Sequence, residues 1–319
     1  MTTIYRGRYA PTPSGRLHLG NLRTALLAWL CARHAEGTFV LRMEDLDRPR
    51  IRPGVAASIL DDLRWLGLDW DEGPDVVGPH APYTQSERAA IYDAHLRRLD
   101  GMGLVYPCYC SRADVARAAS APHGAGDEGR RYPGTCRDPM RRDAMRRRAG
   151  DRTAALRLRV PAGPESMVRF EDGLYGPIEQ DIARVVGDFV LRRADGVPAY
   201  HLAVVVDDAL MAMTDVVRGA DLLSSAPRQI LLYRLLGYPV PRYLHVPLAV
   251  DESGARLAKR HGAAGLASIR DAGIAPARVA GALAASAGLV PPGTDATPRE
   301  LLAAFDPARI AREPSVILL

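Results

Sequence analysis

The spacing of apolar residues changes character several times along the chain, and the changes predict an α/β fold. A short apolar and aromatic segment leading to Arg8 has strand character. Leu22 to Ala35 is a long helix-forming run. Thr38 to Met43 alternates, and its Phe39, Val40 and Leu41 mark a second strand parallel to the first. Pro53 to Leu66 predicts an amphipathic helix, and Gln85 to Gly101 another, with Thr84 or Ser86 as N-cap. Further strands are predicted at Thr153 to Val160, Val168 to Gly176 (with a turn), Val185 to Arg192, Met213 to Val217 and Leu244 to Ala249. Helices are predicted at Ala226 to Leu236, Ala277 to Ala287 and Pro298 to Phe305, the last two split by Pro291-Pro292-Gly293.

The first strand and helix are joined by Arg8-Tyr9-Ala10-Pro11-Thr12-Pro13-Ser14-Gly15-Arg16-Leu17-His18-Leu19-Gly20-Asn21. Two prolines and Gly15 forbid regular structure between them. His18 and Gly20 then fall at the helix start, where unpaired N–H groups and the positive dipole end attract anions. Gly20 lets a flat base or a phosphate approach the backbone, and an imidazole donates to a phosphate oxygen. The string is no P-loop, since G-x-x-x-x-G-K-[ST] is absent. Taken alone it also fits a tight βα turn with a surface histidine.

The second strand ends in Arg42-Met43-Glu44-Asp45-Leu46-Asp47, where an open α/β sheet places its ligands. Asp47 reads best as a solvated turn aspartate. Arg256-Leu257-Ala258-Lys259-Arg260-His261-Gly262 is a basic loop after the last sheet strand. Cys108, Cys110 and Cys136 lie in one region. Their spacing fits either a metal site or three buried thiols, while Cys31 sits on an apolar helix and reads as core. His123, in the Gly/Ala-rich stretch from Ala118 to Gly129, is a poor fourth ligand. Arg137 to Arg152 predicts a solvated basic helix that could also meet an RNA backbone.

Composition changes this picture little. The 319 residues suffice for one large α/β domain and a smaller appendage. A net charge of +5, with pI about 9.2, fits a polyanionic partner without demanding one. The sequence carries no secretory leader pattern and no apolar run of about 18 residues, so a cytoplasmic protein is expected.

Several of these segments together resemble the glutamyl/glutaminyl branch of the class I aminoacyl-tRNA synthetases. Ala10-Pro11-Thr12-Pro13-Ser14-Gly15 followed by His18-Leu19-Gly20-Asn21 is similar to the H-I-G-H signature, with Asn21 at the fourth position. Arg42 to Asp47 resembles R-I-E-D-T-D. Gly67-Leu68-Asp69-Trp70-Asp71-Glu72-Gly73-Pro74, Tyr83 to Arg88, Ala194 to Asp208 and Val217-Arg218-Gly219 resemble further segments of the branch. Arg256 to Arg260 resembles K-M-S-K-S, with Lys259 on the second lysine and Arg256 and Arg260 as departures.

The resemblance implies a Rossmann-like parallel sheet divided by an inserted subdomain. The first catalytic half would span 1–104, a zinc-binding, acceptor-type insertion 105–184, the second half with the basic loop 185–262, and a short helical region 263–319. It implies catalytic and phosphate roles for His18 and Lys259, and ATP binding by His18, Gly20, Asn21 and Lys259. Glutamate would be held by Arg8, Ala10, Thr12, Glu44, Tyr200 and Arg218, with Glu44 facing the amino group and Arg8 and Arg218 selecting glutamate by charge. Magnesium would accompany ATP without an assigned ligand. Short members with C-x-C and Y-x-x-x-C elements hold structural zinc, which maps here to Cys108, Cys110, Tyr132 and Cys136. The anticodon-binding domain of a full glutamyl-tRNA synthetase is not expected. The short form implies transfer of glutamate to the queuosine base in the anticodon of tRNA(Asp), by a monomer. Three alternatives are a minimal glutamyl-tRNA synthetase charging the tRNA terminus, an inactive synthetase-like RNA-binding protein, and a small-molecule nucleotidyltransferase. The Arg8, Glu44, Tyr200 and Arg218 set favours an amino acid over the last.

Overall fold

Strand β1, Arg6–Tyr9, runs parallel to β2, Thr38–Leu41, with Arg8 opposite Val40. Helix α1, Leu19–His34, connects them. It starts three residues earlier than the apolar run suggests, because His18 and Asn21 form a reciprocal cap. Leu22, Leu26, Trp29 and Leu30 are all sealed from solvent. A run this continuously apolar has no wet face and belongs inside. The computed structural model describes residues 4–111, 113–115, 131–251, 253–254, 257 and 266–319. The Ala118 to Gly129 stretch with His123, and Arg256, Lys259, Arg260 and His261 of the basic loop, lie outside the described residues.

Helix α2, Val55–Leu66, ends at Gly67, whose φ of 93° is the left-handed turn that glycine adopts without strain. Helix α3, Ala89–Gly101, follows a 3₁₀ turn over Gln85–Arg88. Neither Thr84 nor Ser86 caps it. Instead the Ser86 N–H and hydroxyl both donate to Asp45, at 2.7 and 2.6 Å, so the acid after β2 anchors this turn. Next come β3 (Val105–Cys108), α4 (Pro139–Ala149), β4 (Ala155–Leu158), β5 (Met167–Asp172), β6 (Gly176–Asp181) and β7 (Val190–Arg192). Then follow α5 (Tyr200–Leu210), β8 (Asp215–Gly219), α6 (Ala226–Leu235), β9 (Arg242–Val246) and β10 (Ala249–Val250). The chain closes with α7 (Leu266–Asp271), α8 (Pro276–Ser286), α9 (Pro298–Leu302) and β11 (Ser315–Val316). Pro247 interrupts the strand predicted over Leu244 to Ala249, since it offers no N–H to a ladder.

β8 and β9 pair in parallel, with Arg218 opposite His245. β1 joins this pair through the Thr214 N–H, which donates to the Arg6 carbonyl at 3.0 Å. The pairings cross the division expected at 184/185. β7 runs antiparallel to β4 beside β3, whereas β5, paired with β6, reaches β9 at Asp172–Tyr243. The three- and four-residue strands β3, β4 and β7 carry too few side chains to announce their partners, and β5 meets β9 at a single residue pair.

One apolar core lies between α1, α2 and the C-terminal helices, where Leu283 and Leu301 are buried against α1 and its neighbours. The buried Arg23 of α1 ties the region together, donating to the Pro247 carbonyl and, at 2.8 Å, to Ser315 Oγ. A second core gathers α3, α5, α6 and the strands above them. Within it, fully buried Asp207 of α5 accepts from Gln85 (2.8 Å), Arg88 (2.7 Å) and Tyr92 (2.9 Å). Asp207→Asn leaves Arg88 buried without its carboxylate. It is expected to cost roughly 3–5 kcal/mol, read as a lower urea midpoint at unchanged slope; a loss below about 1 kcal/mol would show that the hub is dispensable.

Candidate active site

The turn after β1 delivers His18 to the N-cap of α1 with φ −102° and ψ 166°. Its Nδ1 accepts from the Asn21 N–H at 3.3 Å, and the His18 N–H donates to Asn21 Oδ1 at 3.4 Å. Accepting at Nδ1 requires the neutral ring that carries its proton on Nε2. A Cβ on Gly20 would lie 3.1 Å from His18 Cε1 and 3.4 Å from Ala249 Cβ. A side chain at Gly20 would therefore crowd the imidazole, which would have to shift by a few tenths of an ångström. Asn21 is more than a substitute at the fourth signature position, because it is half of the cap.

A ladder of buried charges stands behind this turn. Arg42, with no exposed surface, donates to Asp208 at 2.7 Å and to Glu44 at 3.1 Å, and lies 3.6 Å from Asp207. Arg8 approaches Asp208 at 3.3 Å and the Val217 carbonyl at 3.4 Å. Burial alone would depress Arg42; Asp208, Asp207 and Glu44 instead hold it well above its ordinary value. Asp208 in turn stays below the usual carboxylate range, since Arg8 and Arg42 outweigh its burial. Glu44 is pushed up, because burial there outweighs Arg42 and Arg8.

Arg218, at the end of β8, is surrounded differently. Its Nε donates to His245 Nε2 at 2.9 Å, Nη1 to Gln229 Oε1 at 2.7 Å, and Nη2 to the Leu222 carbonyl at 3.1 Å. Its guanidinium also lies over the Tyr243 ring, 5.1 Å from the centroid. His245 Nδ1 meets Asp172 at 2.6 Å. Burial pushes His245 down, and the neutral ring donates from Nδ1 and accepts at Nε2. Asp172 remains below the usual range, its hydrogen bond with His245 overcoming burial.

One cleft of about 1180 Å³ is lined by Arg8, Ala10, Thr12, His18, Gly20, Asn21, Glu44, Tyr200 and Arg218. The fold thus brings every described residue expected to bind nucleotide or amino acid to one surface. Lys259 lies outside the described residues, although Leu257, two positions before it, borders the cleft. A second cleft of about 1020 Å³ shares Thr12, Glu44 and Tyr200 and extends to Cys110 and Arg157. Sequence reasoning missed Arg42, Asp208, Gln229 and His245 as parts of the site, and Arg50 and Arg52 on its rim. The Asp207-Asp208 pair closing an apolar helical run was a usable signal, because buried acids demand cations. Nothing local marked Gln229 or His245.

The cysteines form a cluster apart from the cleft floor. The sulfurs of Cys108, Cys110 and Cys136 all lie within 4.8 Å of one another, with Cys110 and Cys136 at 3.5 Å. The Tyr132 hydroxyl is 3.4 Å from Cys108 Sγ and 3.7 Å from Cys110 Sγ, and accepts the Cys136 N–H at 2.8 Å. The Arg157 guanidinium sits 3.9 Å from the Tyr132 ring centroid. Tetrahedral zinc with bonds of about 2.3 Å spaces its sulfur ligands about 3.8 Å apart. The donor set and its spread fit such an ion. Cys31 is buried in the α1 core, as expected.

Residues 5–286 match the family model described as tRNA synthetases class I (E and Q), catalytic domain. A Symbiobacterium thermophilum protein named Glutamyl-Q tRNA(Asp) synthetase is 57% identical over 308 residues, spanning 97% of this chain and 94% of that one. Glutamate–tRNA ligase 1 of Halorhodospira halophila is 46% identical over 308 residues, spanning 97% of this chain and 64% of that one. The crystal structure of a glutamate tRNA ligase from Elizabethkingia meningosepticum, in complex with its amino acid, superposes with TM-score 0.81 at 26% identity, covering 99% of this chain and 67% of that chain. The chain therefore belongs to the class I tRNA synthetases of the E and Q family, and is a ligase of the aminoacyl-tRNA synthetase type.

Proposed function

We propose that the chain joins L-glutamate to ATP as glutamyl-adenylate and passes the glutamyl group to the queuosine base in the anticodon of tRNA(Asp). The observation that carries the first step is the charge layout of the cleft. A carboxylate, Glu44, and a guanidinium with no carboxylate partner among the described residues, Arg218, line one cleft together with Tyr200 and the capped start of α1. That layout suits an amino acid with a second carboxylate next to a polyphosphate. The acceptor is supported by identity, at 57% to the protein named Glutamyl-Q tRNA(Asp) synthetase against 46% to glutamate–tRNA ligase 1.

In this reading Glu44 receives the substrate ammonium and Arg218 its side-chain carboxylate, while Ala10 and Thr12 shape the floor. Arg8 shares Asp208 with Arg42 and so acts more as a wall than as a second selector. His18 donates from Nε2 to a phosphate oxygen, and the backbone at Gly20 and Asn21 meets the nucleotide. Lys259, with Arg50 and Arg52 on the rim, adds positive charge toward the triphosphate. The glutamate α-carboxylate attacks the α-phosphorus in line, the bond to the β-phosphate oxygen breaks, and pyrophosphate leaves. Positioning and charge suffice, without a covalent enzyme intermediate. ATP enters with magnesium, to which no residue is assigned. Among the described residues no helix is long and apolar enough to cross a membrane, and a monomer acting in the cytoplasm is the setting this reading takes.

We also propose that Cys108, Cys110, Tyr132 and Cys136 hold a zinc ion. It would supply cross-linking alone, stapling β3 to the segment before α4. The nearby Arg157 offsets the negative charge of the thiolates.

Pyrophosphate exchange with glutamate and no tRNA is expected to proceed. Labelled glutamate should then reach tRNA only from cells that make queuosine, in a linkage that survives mild cleavage of ribose esters. Label at the terminal ribose of tRNA(Glu) would instead make the chain a minimal glutamyl-tRNA synthetase. Glu44→Gln should raise the KM for glutamate about 10- to 100-fold, the loss of one charge-assisted bond. Gly20→Ala should lower kcat/KM for ATP roughly 3- to 30-fold by crowding His18, and unchanged exchange kinetics would show that the cap accommodates a methyl group. Metal analysis should find one zinc per chain, lost in Cys136→Ser together with thermal stability; zinc-free native protein would leave the cluster as three thiols.

A further inference from the structure

The buried arginines of this protein are not compensated alike. Arg8 and Arg42 face Asp208, and Arg88 faces Asp207, each at salt-bridge distance. Arg218 is equally buried, at 5% exposure, yet no carboxylate among the described residues lies within that distance. Its three recorded acceptors are an imidazole nitrogen, an amide oxygen and a backbone carbonyl, all neutral. A guanidinium has five N–H groups, so one remains on each terminal nitrogen. The nearest buried acid in the chain of contacts, Asp172, reaches Arg218 only through the His245 ring. Gln229 and His245 are themselves sealed, at 1% and 0% exposure, so water cannot take over their role.

We propose that Gln229 and His245 determine the charge specificity of the cleft. They orient Arg218 through neutral acceptors and leave its positive charge for the side-chain carboxylate of the substrate. Asp172 fixes the tautomer of His245, and it stands one ring too far away to neutralise the arginine. A carboxylate in either acceptor position would hold the guanidinium just as firmly, but would cancel the charge that a second acid must meet. The inference rests on the glutamate reading above. It names residues outside the expected set, neither of which lines the cleft.

Gln229→Glu is the isosteric test, because it puts a carboxylate oxygen where the amide oxygen now accepts at 2.7 Å. Pyrophosphate exchange is read as separate KM values for glutamate and ATP. The glutamate KM should rise about 10- to 100-fold, as for compensation of a buried binding charge, with the ATP KM within about threefold of wild type. Gln229→Met removes the acceptor without adding charge and should raise the glutamate KM several-fold less. Should Gln229→Glu fail to fold, the pair Asp172→Asn with His245→Glu moves the existing negative charge next to Arg218 and should give the same selective loss. Equal damage from Gln229→Met, or an unchanged glutamate KM in both charge variants, would overturn the inference while leaving the glutamate reading intact. A wild-type protein silent with glutamate would overturn the reading itself.

Discussion

Arg42 is the constraint on which the site depends. It has no exposed surface, and it meets Asp208 at 2.7 Å and Glu44 at 3.1 Å. Through Asp208 it also shares a partner with Arg8. The end of β2, the end of β1 and helix α5 are therefore held in one charge lattice. A buried guanidinium cannot leave such a lattice without stranding carboxylates in a low-dielectric interior. The lattice holds Glu44, which lines the cleft, and ties β1 and the end of β2 to α5, which carries Tyr200 at its start.

Two kinds of cation follow from that arrangement. Arg8, Arg42 and Arg88 are structural, since their charge is answered within the protein. Arg218 is answered by dipoles. The same residue type is thus neutralised by carboxylates in one place and oriented by neutral acceptors in another, and the difference lies in the neighbours. The cap at His18 shows the same economy of contacts. One imidazole satisfies a backbone N–H of the helix terminus through Nδ1 and lines the cleft as well.

The C-terminal helices are part of this design as well. They bury Leu283 and Leu301 against α1, and the Arg23 side chain pins that helix to Pro247 and Ser315. Because α1 carries His18 and Gly20 at its start, the packing of this region sets where that side of the cleft lies. Cys110 of the cysteine cluster lines the second cleft, which Glu44 and Tyr200 share with the first.

Much of this was legible in the chain itself. Strand, proline turn and helix around His18, the acids closing β2, and the close spacing of Cys108 and Cys110 are local patterns, and local patterns reflect backbone physics that acts within a few residues. What only the tertiary structure decided concerns partners distant in the chain. Arg8 meets Asp208 across two hundred positions, β7 turns to β4 and β5 to β9, and Gln229 and His245 come to Arg218 from separate elements. A histidine in a strand and a glutamine in a helix look like ordinary polar residues until burial removes water and leaves each hydrogen bond one available partner. Residue types alone determined which chemistry was possible here. Burial and distant partners decided which charges were answered by opposite charges and which by neutral dipoles, because electrostatic strength depends on surroundings that a sequence does not display.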